Sequence, residues 1–259
     1  MSGVNLSGIV KAYGALQVVH GIDLDVQEKE FVVLVGPSGC GKSTALRIVA
    51  GLAPATKGTV SWDDSGSESD NTSHDVSFVF QEPTLMPWAN VFGNVYLPLK
   101  LKGQSKTQAR DAVMESLALV GLDGFENSYP RELSGGMKMR VSIARALVTR
   151  PKLLLMDEPF AALDEITRFK LNNDLLELWE RFNWTVVFVT HSVFESVYLS
   201  NRIVVMAARP GRVVNDMKID APYPRDDAFR TSDIYSQHCR TVSDALHNAM
   251  DPYQTGEVA

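Results

Sequence analysis

Clusters of basic residues and long apolar runs are both missing from this sequence of 259 residues. Proteins that cover a nucleic-acid backbone need clustered lysine and arginine, whereas this chain has a net charge of −6 and no basic block. No apolar run approaches the roughly 18–20 residues that a membrane-spanning helix requires. The composition therefore argues against a nucleic-acid partner and against a chain that crosses a membrane by itself.

Cysteines are also scarce, since Cys40 and Cys239 are the only two in the sequence. Two thiols are too few for a disulfide framework, and their spacing does not resemble a metal site. The first residues, MSGVNLSGIVKAYG, lack the apolar segment of a signal peptide, so we expect the protein to stay in the cytosol. With 45% apolar and 22% charged residues, the composition is that of a globular protein with a substantial core.

Short apolar runs alternate with helical patterns along most of the chain. The patterns predict strands within 4–35 and over 59–62, 76–80, 153–156 and 186–189, and helices over 43–50, 107–120, 135–149 and 168–182. A more helical stretch begins near Trp88. A strand, a crossover helix and a second strand, as predicted from residue 153 to residue 189, are typical of a parallel sheet.

Two segments are less regular. Residues 63–75, DDSGSESDNTSHD, are polar and rich in turn formers, which predicts a solvated loop. The chain after Asp216 has no clear strand pattern, but its end predicts an amphipathic helix that packs on the core, with a regulatory role as the alternative. The apolar face of that helix is predicted to contain Ile234, His238, Val242, Ala245, Leu246 and Ala249.

The run GPSGCGKST lies between the buried strand that ends at Val35 and the helix that starts near Ser43. It matches G-x-x-x-x-G-K-S/T, and this context favours a phosphate-binding loop over a purely structural turn. Glycines let several backbone N–H groups converge on an anion, Lys42 can reach the β- and γ-phosphates, and the Ser43 hydroxyl suits Mg²⁺. The residues predicted to bind the nucleotide here are Gly36, Pro37, Ser38, Gly39, Cys40, Gly41, Lys42, Ser43 and Thr44.

Two adjacent carboxylates, Asp157 and Glu158, follow the apolar run Leu153–Met156. Taken alone, such a pair after a strand is more often a helix cap or a surface pair. In a chain that also has a phosphate loop, the catalytic interpretation is favoured. Asp157 is then predicted to hold the Mg²⁺ shell, and Glu158 to polarise the attacking water as a general base.

LSGGM, from Leu133 to Met137, resembles the signature sequence of ATP-binding cassette (ABC) ATPases, and the other family elements appear in the expected order. The resemblance implies that Tyr13 stacks on adenine and that Gln81, in VFQEP, contacts Mg²⁺ and the attacking water. It also implies that Asp164, in ALD, belongs to the D-loop and that His191, in VTHS, contacts the γ-phosphate. Simple packing for Tyr13 and a locally satisfied His191 are the alternatives.

The signature is predicted to approach a phosphate with a helix N-terminus and small residues, as the phosphate loop does. Ser134 is predicted to cap a helix that begins near Gly135, and the small residues Gly135 and Gly136 let the helix N-terminus approach a phosphate. In the family this helix faces the nucleotide of a second subunit, so the resemblance implies a head-to-tail dimer, expected to consist of identical chains, that encloses two ATP molecules. Met137 and Ala161 depart from the commoner glutamine and serine of the family, and neither change removes a group that we expect to be essential.

The resemblance covers about residues 4–215 and implies an α/β fold. This fold has a P-loop NTPase (RecA-like) core with a mainly parallel sheet, an antiparallel β subdomain and an inserted α-helical subdomain. A single ABC ATPase domain is therefore expected over residues 1–259. Its predicted parts are a core of about 1–85 and 150–215, a helical subdomain of about 86–149 and a C-terminal extension of 216–259.

Two functions remain open at this point. One is the ATPase subunit of a membrane transporter, and the other is a soluble ABC ATPase that acts on DNA or ribosomes. A single cassette without a coiled-coil insert, together with the acidic charge, favours the transporter. The transporter interpretation implies membrane permease subunits and, indirectly, a solute-binding protein as partners, with the chain on the cytoplasmic face of the cell membrane and with ATP and Mg²⁺ bound.

Further segments favour an importer. Residues 84–95, TLMPWANVFGNV, follow Gln81 and correspond to the segment where the permease docks in the family, although Met86 and Trp88 could instead anchor the helical subdomain. This segment, PFAALDEITRFKLN and SNRIVVMAARPGRV resemble the nitrate, sulfonate, taurine and bicarbonate importer branch, whose relatives also import thiamine-pyrimidine precursors. No residue of the chain itself needs to touch the solute.

Overall fold

The computed structural model describes residues 3–62 and 76–250. The strands are β1 (Val4–Tyr13), β2 (Leu16–Val26), β3 (Phe31–Val35), β4 (Lys57–Trp62), β5 (Val76–Val79), β6 (Leu153–Asp157), β7 (Thr185–Val189), β8 (Arg202–Ala207) and β9 (Arg212–Lys218). The helices are α1 (Lys42–Val49), α2 (Val91–Leu101), α3 (Lys106–Leu119), α4 (Gly135–Leu147), α5 (Glu165–Phe182), α6 (Val193–Leu199), α7 (Asp227–Arg230) and α8 (Asp233–Met250). The elements fall into two compact units, unit 1 (Met1–Asn71 and Asn183–Ala259) and unit 2 (Thr72–Phe182).

Unit 1 contains an antiparallel sheet in the order β2-β1-β4. In β2 the side chains of Ile22, Leu24 and Val26 are buried, whereas Asp23 and Asp25 between them are exposed. This alternation is the pattern of an antiparallel sheet that packs one face on the core. The strands predicted within 4–35 and the antiparallel β subdomain that the resemblance implied are therefore confirmed.

A second group of strands in unit 1 has the order β7-β3-β8-β9. The strand β3 pairs in parallel with both β7 and β8, and β9 adds an antiparallel edge. Every residue of β3 and β7 is buried, as expected for continuous apolar runs that are covered on both faces. Because Leu34 pairs with Val189, the chain leaves β3 and β7 at the same edge of the sheet.

Unit 2 combines the parallel pair β5 and β6 with the helices α2–α5. Helix α3 begins with a capping box, in which the Ser105 and Gln108 side chains bind each other's backbone N–H groups. Its buried face contains Ala109, Val113 and Leu117. Helices α2, α3 and α4 pack against one another.

Capping side chains set two helix starts that the periodicity misplaced. The helical stretch predicted from Trp88 begins at Val91, because the Asn90 side chain accepts a hydrogen bond from the Gly93 N–H at 2.9 Å. Helix α5 begins at Glu165 rather than near residue 168, because the Asp164 Oδ1 accepts a hydrogen bond from the Thr167 N–H at 2.9 Å.

The last part of unit 1 differs most from the sequence-based prediction. Helix α6 and strands β8 and β9 were not predicted as elements, and β9 extends to Lys218, past the point where the chain was expected to become irregular. The final helix is confirmed as α8, but its predicted face is partly wrong. The buried residues are Tyr235, Cys239 and Val242, whereas Ile234 is 51% exposed.

Three further expectations concern membrane-spanning helices, the loop at 63–75 and the limits of the helical subdomain. Within the described part of the chain, no helix is long and apolar enough to cross a membrane. The predicted loop at 63–75 lies outside the described residues. The predicted limits of the helical subdomain, about 86–149, stay a prediction, and unit 2 contains α2–α4 together with β5, β6 and α5.

Candidate nucleotide-binding site

The predicted phosphate loop connects β3 to α1, and its glycines are required by its geometry. A Cβ at Gly36 would collide with the carbonyl oxygen of Met206. Gly39 and Gly41 have φ angles of 79° and 96°, in the left-handed region that side chains disfavour. A Cβ at Gly41 would also lie 2.8 Å from the Cγ2 of Val19. The loop therefore has the tight curvature that a phosphate cradle needs, and the residues present fit a nucleotide phosphate.

Lysine 42 lies within this loop rather than in solvent. Lys42 is 5% exposed, and its Nζ donates hydrogen bonds to the carbonyl oxygens of Gly36 at 2.8 Å and of Pro37 at 3.1 Å. Lys42 is the first residue of α1, and Gly41 at the N-cap position has no side chain with which to cap that helix. The ammonium and the positive end of the helix dipole thus meet at the loop, which favours an anion there. Ser43 and Thr44 follow in the first turn of α1, half-buried, and Ser38 is exposed.

The thiol of Cys40 is fully buried in the phosphate loop. Its Sγ lies 3.8 Å from the Lys42 Nζ. Burial raises the pKa of the Cys40 thiol, and the neighbouring ammonium acts in the opposite direction with a smaller effect. The thiol is therefore protonated at neutral pH.

His191 lies beside the phosphate loop at the edge where β3 and β7 end. It follows Thr190, whose N–H donates to the carbonyl oxygen of Leu34 at 3.3 Å. The His191 side chain is exposed, whereas Thr190 is buried. The edge of this sheet thus carries both a phosphate loop and a histidine.

Tyr13 ends strand β1, in the antiparallel sheet of unit 1. More than half of its side chain is exposed, so it is not a core residue. The Nζ of Lys11 lies 4.8 Å from the centroid of the Tyr13 ring and also donates to the carbonyl oxygen of Pro54 at 2.7 Å. The exposure argues against the packing alternative, and stacking on adenine stays a prediction.

In unit 2 the predicted catalytic residues follow two paired strands. Val79 pairs with Met156, so Gln81 after β5 and Glu158 after β6 leave the same edge of the pair. Asp157 is buried as the last residue of β6, and Glu158 is half-buried. Glu158 has a φ of 47°, a conformation that costs a residue with a side chain about 1–3 kcal/mol. Such strain is typical of functional sites, where the rest of the fold fixes a side chain in one direction.

The signature residues begin helix α4 as predicted. The Ser134 side chain accepts a hydrogen bond from the Met137 N–H at 3.3 Å and so caps the helix. A Cβ at Gly136 would lie only 2.6 Å from the Cγ2 of Thr167, and one at Gly135 would lie 3.5 Å from the Cδ2 of Leu163. The glycines therefore let the N-terminus of α4 pack directly against residues 163–167.

Those residues include the predicted D-loop aspartate. The Asp164 carboxylate caps α5, and the hydrogen bond from the Thr167 N–H lowers the pKa of Asp164. Thr167 thus contacts the signature through its methyl group and Asp164 through its backbone. Unit 2 brings the signature and Asp164 together at one place.

The predicted site residues divide between the two units. Unit 1 contains Tyr13, the residues of the phosphate loop from Gly36 to Thr44, and His191. Unit 2 contains Gln81, Asp157, Glu158, Ser134, Gly135, Gly136 and Asp164. Within unit 1 the strand register brings the phosphate loop and His191 to one edge, whereas Tyr13 belongs to the antiparallel sheet.

Two residues that hold the segment after Gln81 were not predicted. Arg145 in α4 donates to the carbonyl oxygens of Thr84 at 2.9 Å and of Pro83 at 2.8 Å. Burial lowers the pKa of the Arg145 guanidinium, which nevertheless remains charged at neutral pH. Polar Ser142 lies on the same face of α4 and also binds the Arg145 guanidinium, so the sequence pattern contained no distinct signal for Arg145.

The second residue is Asn94, which is fully buried in α2. Its side chain accepts the N–H of Met86 at 2.7 Å and donates to the carbonyl oxygens of Met86, Ala89 and Asn90 at 3.0–3.2 Å. This network fixes the turn that presents Trp88, whose side chain is 77% exposed. Trp88 therefore does not anchor the helices of unit 2, although Met86 is half-buried.

Comparisons with known proteins identify the family to which the sequence is similar. A family model described as "ABC transporter" matches residues 19–161. An uncharacterised ABC transporter ATP-binding protein of Methanocaldococcus jannaschii is 47% identical over 243 residues, which are 93% of this chain and 89% of that protein. The aliphatic sulfonates import ATP-binding protein SsuB of Bacillus cereus is 43% identical over 238 residues, which are 90% of this chain and 92% of that protein.

Solved structures give the same result for the fold. The dimeric structure of MJ0796, a bacterial ABC transporter cassette, has a TM-score of 0.73 and 33% identity, and it covers 85% of this chain and 100% of that one. A dimeric post-hydrolysis state of the same ATP-binding cassette, bound to ADP and Pi, has a TM-score of 0.73 and 34% identity with the same coverage. These similarities confirm the predicted α/β fold of a P-loop NTPase.

Proposed function

Because the chain belongs to the ABC transporter family and is an ATP-hydrolysing subunit of the ABC type, we propose that it energises the import of a small solute by a bacterial membrane transporter. The observation that carries this proposal is the similarity, over nearly the whole chain, to a sulfonate import ATP-binding protein. The solute is a small molecule of the sulfonate, nitrate, taurine or bicarbonate kind, or a thiamine-pyrimidine precursor. The relatives reported above are transporter subunits, which favours transport over an activity on DNA or ribosomes.

The phosphate loop is proposed to bind the triphosphate of ATP. Its curved backbone and the Lys42 ammonium supply positive potential, and Tyr13 offers an exposed ring for the adenine. Ser43, Gln81 and Asp157 supply the hydroxyl, amide and carboxylate oxygens that Mg²⁺ prefers. When bound, Mg²⁺ neutralises part of the phosphate charge.

Glu158 is proposed to take a proton from the attacking water as the general base. Its strained backbone supports this role, because strain of that kind is kept where a side chain must point in a fixed direction. His191 is proposed to contact the γ-phosphate, and Gln81 to contact the attacking water. These three side chains would therefore orient and deprotonate the water, while the loop holds the phosphates.

The active form is proposed to be a head-to-tail dimer of identical chains. The N-terminus of α4, with Ser134, Gly135 and Gly136, is the surface proposed to approach the nucleotide of the second chain, and Asp164 lies beside it in unit 2. Dimerisation is supported by the dimeric structure of the similar cassette MJ0796. One chain then supplies half of each catalytic site.

The chain is proposed to work on the cytoplasmic face of the cell membrane, bound to membrane permease subunits and served indirectly by a solute-binding protein. The exposed Trp88, presented by the Asn94 network, is the side chain proposed to dock the permease. Because Trp88 lies just after Gln81 in the sequence, a change at Gln81 on ATP binding would be transmitted through Trp88 to the membrane subunits.

A deletion strain of the source organism tests the proposed function. We expect the strain to lose uptake of one radiolabelled solute from a panel of alkanesulfonates, taurine, nitrate, bicarbonate and thiamine-pyrimidine precursors. The wild-type gene restores uptake, whereas Lys42→Ala and Glu158→Gln do not. Glu165→Gln, which removes an exposed carboxylate at the start of α5, is the matched control and restores uptake.

Two results would contradict the proposal. One is normal uptake of every solute by the deletion strain. The other is restoration of uptake by Glu158→Gln to the level of Glu165→Gln, which would remove Glu158 from the reaction.

A further inference from the structure

The backbone around His191 is fixed by the first turn of α6. His191 lies between Thr190 and Ser192, and the Ser192 N–H donates to the Thr190 Oγ1 at 3.0 Å. The Thr190 hydroxyl donates to the Glu195 Oε2 at 2.5 Å, and the Ser192 side chain caps α6 by accepting the Glu195 N–H at 3.3 Å. A displacement of α6 would therefore move His191 directly.

Helix α6 has only seven residues, too few to be stable without tertiary contacts. The last carbonyl groups of a helix have no partners within the helix, and a cation there is favoured by the helix dipole. The segment that binds these carbonyl groups therefore helps to set the position of α6, together with the packing of α6 against β3 and α8.

That segment contains Arg225, a buried arginine that is 5% exposed. Its Nη1 donates to the carbonyl oxygens of Val197 at 2.8 Å, Tyr198 at 3.0 Å and Ser200 at 2.8 Å, all at the C-terminal end of α6. Its Nη2 donates to the carbonyl oxygen of Ala221 at 3.1 Å. One guanidinium thus ties the end of α6 to the chain that follows β9.

Aromatic residues pack against the Arg225 guanidinium and form further hydrogen bonds between its segment and α6. The guanidinium carbon lies 4.0 Å from the Tyr223 ring centroid and 5.1 Å from that of Phe229. The Tyr223 hydroxyl donates to the carbonyl oxygen of Leu199 at 3.0 Å. The Tyr198 hydroxyl of α6 donates in return to the carbonyl oxygen of Arg225 at 2.7 Å.

The N-terminal turn of α6 is held by α8. The Tyr235 hydroxyl donates to the carbonyl oxygen of Phe194 at 3.0 Å, three residues after His191. Tyr235 also packs edge-on against the Phe229 ring, with 5.3 Å between the centroids. Residues 221–235 therefore contact α6 at both of its ends.

We propose that Arg225 is a positioning residue for ATP hydrolysis, which acts through α6 on His191. The residues after β9 thereby belong to the catalytic apparatus, rather than only covering the core. The inference rests on the proposed role of His191 at the γ-phosphate. It assigns to the C-terminal extension a function in the rate of the chemical step rather than in ATP binding, because the hydrogen bonds of Arg225 described above join α6 to Ala221.

The test compares Arg225→Met with Arg202→Met in the purified full chain. Arg202 is an arginine of unit 1 that is also largely buried, and its guanidinium binds Glu30, Asp216 and the carbonyl oxygen of Asp25. We expect Arg225→Met to lower kcat at least about tenfold while KM for ATP stays within about twofold, since small displacements of a reacting group cost rate rather than binding. Arg202→Met lowers the thermal midpoint but leaves kcat near the wild-type value.

A conservative variant and a spectroscopic signal separate positioning from general loss of stability. Arg225→Lys retains a donor for the α6 carbonyl groups and is expected to recover part of kcat. In histidine-labelled protein, the His191 ring resonance, assigned with His191→Gln, shifts in Arg225→Met and not in Arg202→Met. If Arg225→Met does not fold, Tyr235→Phe and Tyr223→Phe make the same comparison with smaller changes.

The inference is overturned if kcat and the His191 resonance of folded Arg225→Met equal those of Arg202→Met. Failure of the proposed function gives a different result, in which His191→Ala hydrolyses ATP at the wild-type rate. In that case the resonance of His191 still decides whether Arg225 sets the position of the histidine.

Discussion

At the scale of single residues, the site depends on positions where no side chain fits. At Gly41 a Cβ would meet Val19, and at Gly136 a Cβ would meet Thr167. In both places the missing side chain lets one backbone segment approach another. In the proposed function the same closeness lets backbone N–H groups approach a phosphate, so steric and proposed functional requirements coincide at these glycines.

Gly136→Ala tests this requirement in the signature. The new methyl group would lie 2.6 Å from the Thr167 Cγ2, and we expect the free energy of unfolding to fall by about 1–3 kcal/mol, as in other overpacked sites. The ATPase rate is also expected to fall, because the N-terminus of α4 must shift. Urea unfolding and phosphate release are the measurements.

Thr167→Ser provides the compensating change, because it removes the methyl group and keeps the backbone N–H that binds Asp164. The double variant should regain most of the lost stability, and Thr167→Ser alone should resemble the wild type. A Gly136→Ala protein as stable as the wild type, or a double variant no better than the single one, would contradict the steric account.

The raised pKa of the Cys40 thiol predicts that alkylation of this thiol is slower in the folded protein than in the unfolded protein. Since burial raises the thiol pKa in the folded state, less thiolate is present at pH 8 than in the unfolded chain. In a Cys239→Ser background, we expect iodoacetamide to alkylate folded Cys40 at least about tenfold more slowly than the urea-unfolded protein. Any contribution of this thiol to the free energy of unfolding is fully present at pH values below the pKa of the thiol in the unfolded chain. It is lost as the pH rises through the higher pKa of the folded state. Faster alkylation in the folded state would show that Lys42 outweighs burial.

Most candidate site residues could be predicted because their motifs are local. The phosphate loop and the pair Asp157 and Glu158 each occupy a few consecutive positions after a strand, so spacing in the sequence defines them. Arg145 and Arg225 could not be predicted in this way. Arg145 binds a segment 61 residues away, and Arg225 reaches back 28 residues, so only tertiary packing brings these partners together.

At the scale of whole elements, periodicity predicts that a helix exists more reliably than which face it buries. The pattern in the last 30 residues correctly predicted α8, but it assigned Ile234 to the apolar face instead of Tyr235. Both faces contain apolar residues, and the contacts with α6 and β8 decide between them. Helices of seven residues or fewer, such as α6, give too little periodicity for a prediction.

Two matched substitutions test the assigned face of α8. Val242→Asp places a carboxylate at a fully buried position, and we expect the protein to lose about 3 kcal/mol or more of stability, or to fail to fold. Ile234→Asp makes the same chemical change at a half-exposed position and should cost less than about 1 kcal/mol. Thermal unfolding measures both, and equal losses for the two variants would show that the face is assigned wrongly.

At the scale of the whole molecule, the sequence predicted the fold class and the ATPase class correctly. Both are confirmed by the family match and by the similar cassettes. The order of the motifs along the chain carries this information, because each motif must follow a particular strand or begin a particular helix. The solute is not encoded in this way, since the proposed transporter selects it through other proteins.

The central claim is that two chains enclose each ATP, with the phosphate loop of one facing the Ser134 helix of the other. Sedimentation of Glu158→Gln with Mg²⁺ and either ATP or ADP tests it most directly, because blocked hydrolysis preserves the closed state. We predict a dimer with ATP and a monomer with ADP. The double variant Glu158→Gln, Ser134→Arg should bind ATP and remain a monomer. ATP hydrolysis at the full rate by a wild-type monomer, unchanged in Ser134→Arg, would contradict the account.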